Sequence, residues 1–420
     1  MSISPSRLTV AFYAYSFSND FVLLYPVYAL LFTDTGLSVA QVSSLFVIWS
    51  VTGIVLEVPS GALADAVSRR LLLIAAPLLT ATGYALWVLA PSYWAFAAGF
   101  VLWGVAGSLQ SGAQEALVYE GLEHRHATDS YARLIGRAKA LGVAAVMLAT
   151  AAAAPVFAWG GYPAVATASV LACVVAALAA AALPEHRAAA SDDPEVGYLA
   201  ALRDGLSHSW RTPAVRAAVL LVPAVAAGYG ALEEYTPLLA RGTGVADSTV
   251  PLLVLLVEAG VAVGGLFAGV AARIPVRRFA LVLAGAAVAM AVGAYGGAAA
   301  GIVLVAAAFG VFQLATVLAD VRLQRAITGN HRATITSVAG LGTDVVTIAV
   351  YALYGFASGY ASHGAVFAWF ALPYLVVAVI WAASHNGLPR SPDTAPTSLN
   401  EVRLQDAGGH AVAGRPGLRR

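Results

Sequence analysis

The chain has 420 residues, of which 60% are hydrophobic and only 11% charged, and its formal net charge is +1 at pH 7. Soluble domains carry about 25% charged residues, so a water-soluble fold of this length has nowhere to place so much apolar surface. The near-neutral balance removes any electrostatic case for a nucleic-acid partner. The lone cysteine, Cys173, excludes an intramolecular disulfide and a cysteine-rich metal site, and its position inside an apolar run reads as packing.

The apolar residues fall into runs of about 18 or more, the length that crosses a bilayer core. Arg7 followed by an apolar run resembles the start of a secretory signal, but the run is longer than an h-region of about 7–15 residues and reads as a retained helix. In chain order the expected spans are 8–32, 42–64, 70–90, 92–121, 132–154, 162–183, 214–240, 249–271, 277–298, 300–321, 333–359 and 364–384. The predicted fold class is therefore an all-α polytopic membrane protein with twelve transmembrane helices. The least distinct boundary is between the ninth and tenth spans, where only Gly296, Gly297 and Gly301 mark a turn.

Positive charge sets the expected orientation. With the N- and C-termini in the cytoplasm, every one of the 23 Lys and Arg except Arg241 falls on the cytoplasmic side or at that end of a helix. One span fewer in the middle would carry Arg273, Arg277, Arg278, Arg322, Arg325 and Arg332 to the wrong side. The expected location is the cell membrane.

The hydrophilic stretch 184–213 divides the chain into an N-terminal six-helix bundle, 1–183, and a C-terminal one, 214–385. Within it Val196, Leu199, Leu202 and Leu206 recur at helical spacing, which predicts a short amphipathic helix on the cytoplasmic surface. The tail 386–420, rich in Pro, Gly, Ser and Arg, is expected to be disordered. The two bundles echo each other. Gly61-Ala-Leu-Ala-Asp65-Ala-Val-Ser-Arg69-Arg70 closes the second span, and Gly269-Val-Ala-Ala-Arg273-Ile-Pro-Val-Arg277-Arg278 closes the eighth with the same Gly-to-Arg-pair spacing. Paired halves of this kind are a transporter architecture.

Gly61 to Arg70 resembles the signature G-x-L-A-D-R-x-G-R-R of the major facilitator superfamily, keeping Gly61, Leu63, Ala64, Asp65, Arg69 and Arg70 and departing at Ala66 and Ser68. Glu57-Val-Pro-Ser, Ser111-Gly-Ala-Gln-Glu115-Ala-Leu-Val-Tyr119 and Arg332-Ala-Thr-Ile-Thr-Ser337 are similar to drug-antiporter-like branches. The resemblance covers about 8–385. The fourth span lacks the Arg that many proton-coupled drug antiporters carry, and the fifth lacks their Gly-Pro-x-x-Gly-Gly pattern. The resemblance implies alternating access, with Gly61, Asp65, Arg69 and Arg70 as a gate on the cytoplasmic rim. There Asp65 would meet the positive end of the eleventh helix, an interaction worth roughly 0.3–1 kcal/mol. The Arg pair is also what the positive-inside rule alone would place there.

Ionisable groups inside spans are expensive and point to function. Asp20, Glu258 and Asp344 lie near mid-span. Glu57 and Glu115 lie about two turns from the cytoplasmic ends, within reach of the basic rim, and Glu233 and Glu234 lie near the outer end of the seventh helix. Arg137 and Lys139 come closest to a central cation but stay in the second turn of the fifth helix. A pathway for an anion would want central Arg or Lys. Unpaired acids suit protons or a cationic substrate. The family fold lines its cavity with the first, fourth, seventh and tenth helices, which nominates Asp20, Gln110, Gln114, Glu115, Gln313 and the Glu233–Tyr235 corner. Tyr13, Tyr25, Trp103 and Tyr229 are candidate aromatic walls, unless they only pack.

The leading expectation is a monomeric secondary transporter for a small molecule, exporting an amphipathic or cationic compound against protons, with no cofactor. The alternative is uptake or exchange of a neutral metabolite such as a sugar. An intramembrane enzyme would need a metal-binding or nucleophile constellation, whereas the eight histidines all lie outside span centres. Gly260, Gly264, Gly265 and Gly269 read as a packing stripe.

Overall fold

The computed structural model describes residues 7–185, 212–271, 273–327 and 332–383, and every regular element among them is helical. In chain order these are α1 (Arg7–Asp20), α2 (Tyr28–Asp34), α3 (Val39–Ala66), α4 (Arg69–Leu89), α5 (Tyr93–Glu123), α6 (Tyr131–Ala181), α7 (Pro213–Glu233), α8 (Thr236–Arg241), α9 (Val250–Leu266), α10 (Ala268–Ala271), α11 (Val276–Tyr295), α12 (Gly301–Ala326), α13 (Arg332–Ala357), α14 (His363–Trp369) and α15 (Leu372–Ala383). Serines start several of them. Ser38 forms a capping box with Gln41, and Ser68, Ser92 and Ser362 accept from the backbone amides of Leu71, Ala95 and Ala365. Most of the expected linker helix, 186–211, and the tail from 386 lie outside the described residues.

Nine segments among the described residues are long and apolar enough to cross a membrane. One of these runs from Thr128 to Ala181 and contains two crossings, because Gly161 at φ 60° and ψ −152° turns the chain between them. α5 is long enough at 31 residues, but Gln110, Gln114 and Glu115 dilute its apolar character. The first crossing is split into α1 and α2. With these three additions the expected crossings are accounted for. The sharp turn at Gly161 corrects the predicted gap over 155–161, most of which is helical. The Gly-marked boundary holds, with α11 ending at Tyr295 and Gly297 taking φ 64°.

Two corrections concern helix continuity. The apolar run predicts an unbroken first span over 8–32, but the helix stops at Asp20 and resumes at Tyr28. Pro26 has no amide hydrogen and its ring crowds the carbonyl four residues back, which disfavours a continuous helix there, although α3, α4, α6 and α7 carry prolines within them. The freed amide of Leu24 instead donates to Ser169 Oγ at 3.0 Å, which satisfies it away from water. The seventh span breaks in the same way between Glu233 and Thr236, with Pro237 in the first turn of α8.

Packing is dense within α1–α6 and within α7–α15, and the main seams between these sets are α3 against α13 and α6 against α9, with α2 also meeting α8. In the second set α9 lies so close to α12 that a Cβ at Gly260 would overlap the carbonyl of Ala306, and one at Gly264 the carbonyl of Gly310. Gly265 and Gly269 make no such approach, so the predicted stripe packs through two of its four glycines. Gly264→Val should therefore destabilise the protein by about 1–3 kcal/mol through backbone displacement. A lower thermal midpoint of the detergent-purified protein checks this, and an unchanged midpoint would show that α9 can move away at no cost.

Contacts between the two sets close one end of the bundle. At the end opposite the Gly61–Arg70 motif, Ser43 hydrogen-bonds Tyr235 at 2.7 Å, and Tyr235 stacks on Tyr354 at 3.6 Å between centroids. Phe46 packs edge-on to Tyr235, and Gly355 lies against Ala40 and Ser43. These contacts join the two sets and close that end.

Candidate functional site

Between the two sets lies a cavity of about 980 Å³. Its polar lining includes Glu233, Glu234, Glu258, Thr236 and Gln313, and among the described residues it includes no Lys or Arg. The breaks at Pro26 and Pro237 bring Tyr25, Tyr28, Glu233 and Glu234 to its wall. Helices interrupted at corresponding places in two halves are what a transporter uses to build a midplane site. That pairing of Pro26 with Pro237 is a signal in the sequence that run lengths alone do not exploit.

One wall is aromatic. Trp103 stacks on Trp49 at 4.8 Å and on Tyr25 at 5.5 Å, with interplanar angles of 20° and 17°. Tyr28 meets Trp103 edge-on at 6.3 Å. Tyr25 and Trp103 are expected here; Trp49 and Tyr28 are not, since nothing in the local sequence of α3 or of the broken first span distinguishes them from packing aromatics. Tyr13 packs instead with a separate apolar cluster around Leu8 and Leu117, and Tyr229 stands behind the wall, donating a short hydrogen bond to Gln313 Oε1.

Glu258 on α9 reaches across the seam to the first set. Its Oε1 accepts from Thr150 Oγ1 on α6 at 3.1 Å, while its Oε2 is buried with no hydrogen-bond partner among the described residues. A bare buried carboxylate oxygen is costly, and a proton or a cation would satisfy it. Glu233 faces the open cavity and Glu234 is half-buried at its wall.

The remaining candidates lie elsewhere. Asp20 ends α1 beside the break, accepts from Asn19 at 3.1 Å and sits against Gly142 of α6, where any side chain would strike it. It is not part of the cavity lining. Gln110 and Gln114 hydrogen-bond each other at 3.1 Å, as their spacing implies, and Glu115 is exposed one residue on. Glu57 is exposed on α3 and stands within electrostatic reach of half-buried Asp344 on α13. Among the described residues no group of three or more His, Cys, Asp or Glu could hold a metal ion.

At the motif end Arg69 pairs with Glu120 of α5. Glu185 accepts from the Ser68 hydroxyl at 2.7 Å and from the Arg70 amide at 3.3 Å, with the Arg70 guanidinium 3.9 Å away. The side chain of Asp65 lies outside the described ones. At the closed end, Arg241 donates to Asp34 at 2.5 Å and to Asp247 at 3.0 Å, and Tyr162 donates to Asp34 at 2.5 Å. The Asp34 carboxylate holds Arg241 above its ordinary pKa, so this clamp keeps its charge. The one cation that the charge pattern leaves on the outer side is thus the bridge between the two sets.

The family model of the major facilitator superfamily matches residues 8–343. The chain belongs to the major facilitator superfamily. It is a multi-pass membrane transporter rather than an enzyme. Its fold is similar to that of a mutant of the nucleoside transporter NupG, with a TM-score of 0.76 at 11% identity over 90% of this chain and 100% of that one. The D-xylose-proton symporter gives 0.64 at 14% identity, over 89% and 96%. A bacterial homologue of the human lysosomal transporter Spinster, solved inward-facing and unoccupied, gives 0.64 at 14% identity, over 90% and 93%. No curated protein matches the sequence. For this facilitator, identities so low speak to the fold alone.

Proposed function

We propose that the protein is a proton-coupled exporter of a small amphipathic or cationic molecule. The observation that carries this reading is Glu258, a carboxyl group at the seam between the two sets with one oxygen tied to Thr150 and the other bare. With Glu233 and Glu234 it gives the cavity, among the described residues, three acids and no base. A cation entering would displace the proton from Glu258 and take its place against the aromatic wall. The release of that proton toward one side and its reloading from the other would couple the two fluxes.

In this reading residues 1–183 and 214–385 are the two rocking bundles, working as a monomer in the cell membrane with both termini in the cytoplasm. Gly61, Asp65, Arg69 and Arg70 gate the cytoplasmic rim. Asp20, Glu57, Asp344, Gln110, Gln114 and Glu115 lie off the cavity and serve as relay or rim groups. The alternative, uptake or exchange of a neutral metabolite such as a sugar, draws support from the sugar and nucleoside transporters of like fold and would rest on Gln313 and the aromatic wall.

The two readings differ in protons. Adding an organic cation such as tetraphenylphosphonium to the purified protein in weak buffer should release protons, and raising the pH should tighten its binding. Binding that is indifferent to pH would count against coupling. Trp103→Ala should weaken that binding by about 0.5–2 kcal/mol, roughly twofold to thirtyfold. Titration of the variant checks this, and an unchanged affinity would remove the wall from the site.

A further inference from the structure

The acids of the cavity stand on two helices. Glu233 ends α7 and Glu258 is on α9, and each of these helices packs against α12 but not closely against the other. The side chain between them is Gln313 of α12. Its Oε1 accepts from Tyr229 on α7, and its Nε2 lies 3.9 Å from where a Cβ of Gly265 on α9 would stand. Glu233 is within electrostatic reach of Tyr229 and of Glu258, whereas Glu234 is within reach of Tyr25 and Tyr235. The cavity thus offers two carboxyl groups on separate walls with an uncharged amide between them, and among the described residues no Lys or Arg lines it. A carboxylate held away from water is stable only against a positive charge, so two separated carboxylates call for two separated charges. A divalent metal ion does not supply them, because its ligands must close on one centre within about 2.6 Å. A cation with one head meets one acid and leaves the other.

We infer that the cavity takes a linear organic dication, with one ammonium head at Glu258, the other at Glu233, and the aliphatic chain passing over Gln313. This rests on the export reading above and narrows its substrate from cations in general to diamines. The rest of the lining fits that shape. Val254, Val257 and Val261 share one face of α9 with Glu258 and receive the methylenes of the chain. An ammonium head has three N–H donors, and Glu258 Oε2, buried with no partner among the described residues, accepts one of them. The aromatic wall offers ring faces to the heads. On loading, each head takes the place of one proton: two carboxyl O–H bonds break, two N–H to carboxylate contacts form, and both protons go to water. Two positive charges are exchanged for two, so the step is electroneutral.

Titration of the purified full chain in weak buffer, with a pH dye present, tests this with pentylamine, cadaverine and calcium. Both amines are fully charged at neutral pH, so the second head is what separates them. Cadaverine should bind about tenfold to hundredfold more tightly than pentylamine. It should also release about twice as many protons per molecule bound. Calcium should not compete with it. In Glu233→Gln and in Glu258→Gln alike, the ratio of the two affinities should fall toward one, and a ratio is insensitive to any fraction of the sample that fails to fold. Equal affinities in the wild type, competition by calcium, or a ratio preserved in both variants would overturn the inference. If the wild type shows no preference for cadaverine but still releases protons to tetraphenylphosphonium, the inference falls and the export reading stands. If it releases none to any of these cations, both fall.

Discussion

Glu258→Gln is expected to keep the fold and lose proton release. Glutamine has the shape of glutamate and its amide oxygen can still accept from Thr150, so the seam between α6 and α9 should survive. What it cannot do is exchange a proton or offer a negative charge to a cation. The charge-assisted bond that the bare oxygen offers a cation is worth about 1.5–3 kcal/mol, so the variant should bind the cation roughly tenfold to hundredfold more weakly. Glu233 and Glu234 remain in the cavity and should support the residual binding. A pH dye in weak buffer reports the coupling directly. Proton release per cation equal to that of the wild type would assign coupling to another acid, with Asp20 next in line; Asp20→Asn then becomes the decisive variant.

Arg241→Ala is expected to loosen the closed end. Removing the guanidinium leaves Asp34 and Asp247 without their shared partner, and Asp34 keeps only the Tyr162 hydroxyl. The ion pairs are about one-third exposed, so solvent screens them, and a cost of about 1–2 kcal/mol is reasonable for two charge-assisted bonds at that exposure. That shifts the ratio of closed to open at this end by roughly fivefold to thirtyfold. The reporter is Ser43→Cys, because Ser43 is 2% exposed beneath the clamp. Its labelling by an impermeant maleimide added on the Arg241 side should rise by that factor when Arg241 is also replaced. An unchanged rate would mean that the stacking of Tyr235 on Tyr354 and the packing of Phe46 hold this end closed without the clamp.

Much of this architecture is legible in the sequence because a bilayer punishes exceptions. Run length and the bias of Lys and Arg set the crossings within a few residues, and the charge pattern alone singles out Arg241 as the outer cation. The Gly61–Arg70 motif points to the family. The breaks at Pro26 and Pro237 are less visible, since a proline in an apolar run can also sit near a helix end, and only their matched positions in the two halves give them meaning. The cavity lining is legible in part. Glu233, Glu234, Glu258 and Gln313 are expected candidates and line it, but helical spacing does not tell which acid faces across a seam. Thr150, which ties Glu258 to the first set, carries no signal in sequence because a hydroxyl inside a helix commonly bonds its own backbone. Trp49 escapes notice because the second span draws attention only through its closing motif.

The central claim is that cation movement and proton movement are one process in this facilitator. Inverted membrane vesicles with an imposed acid interior, loaded with a pH dye, test it most directly. Addition of a lipophilic cation should dissipate the gradient in vesicles holding the wild type and should leave it intact in vesicles holding Glu258→Gln. A gradient that persists with the wild type while the cation nonetheless accumulates would contradict the account.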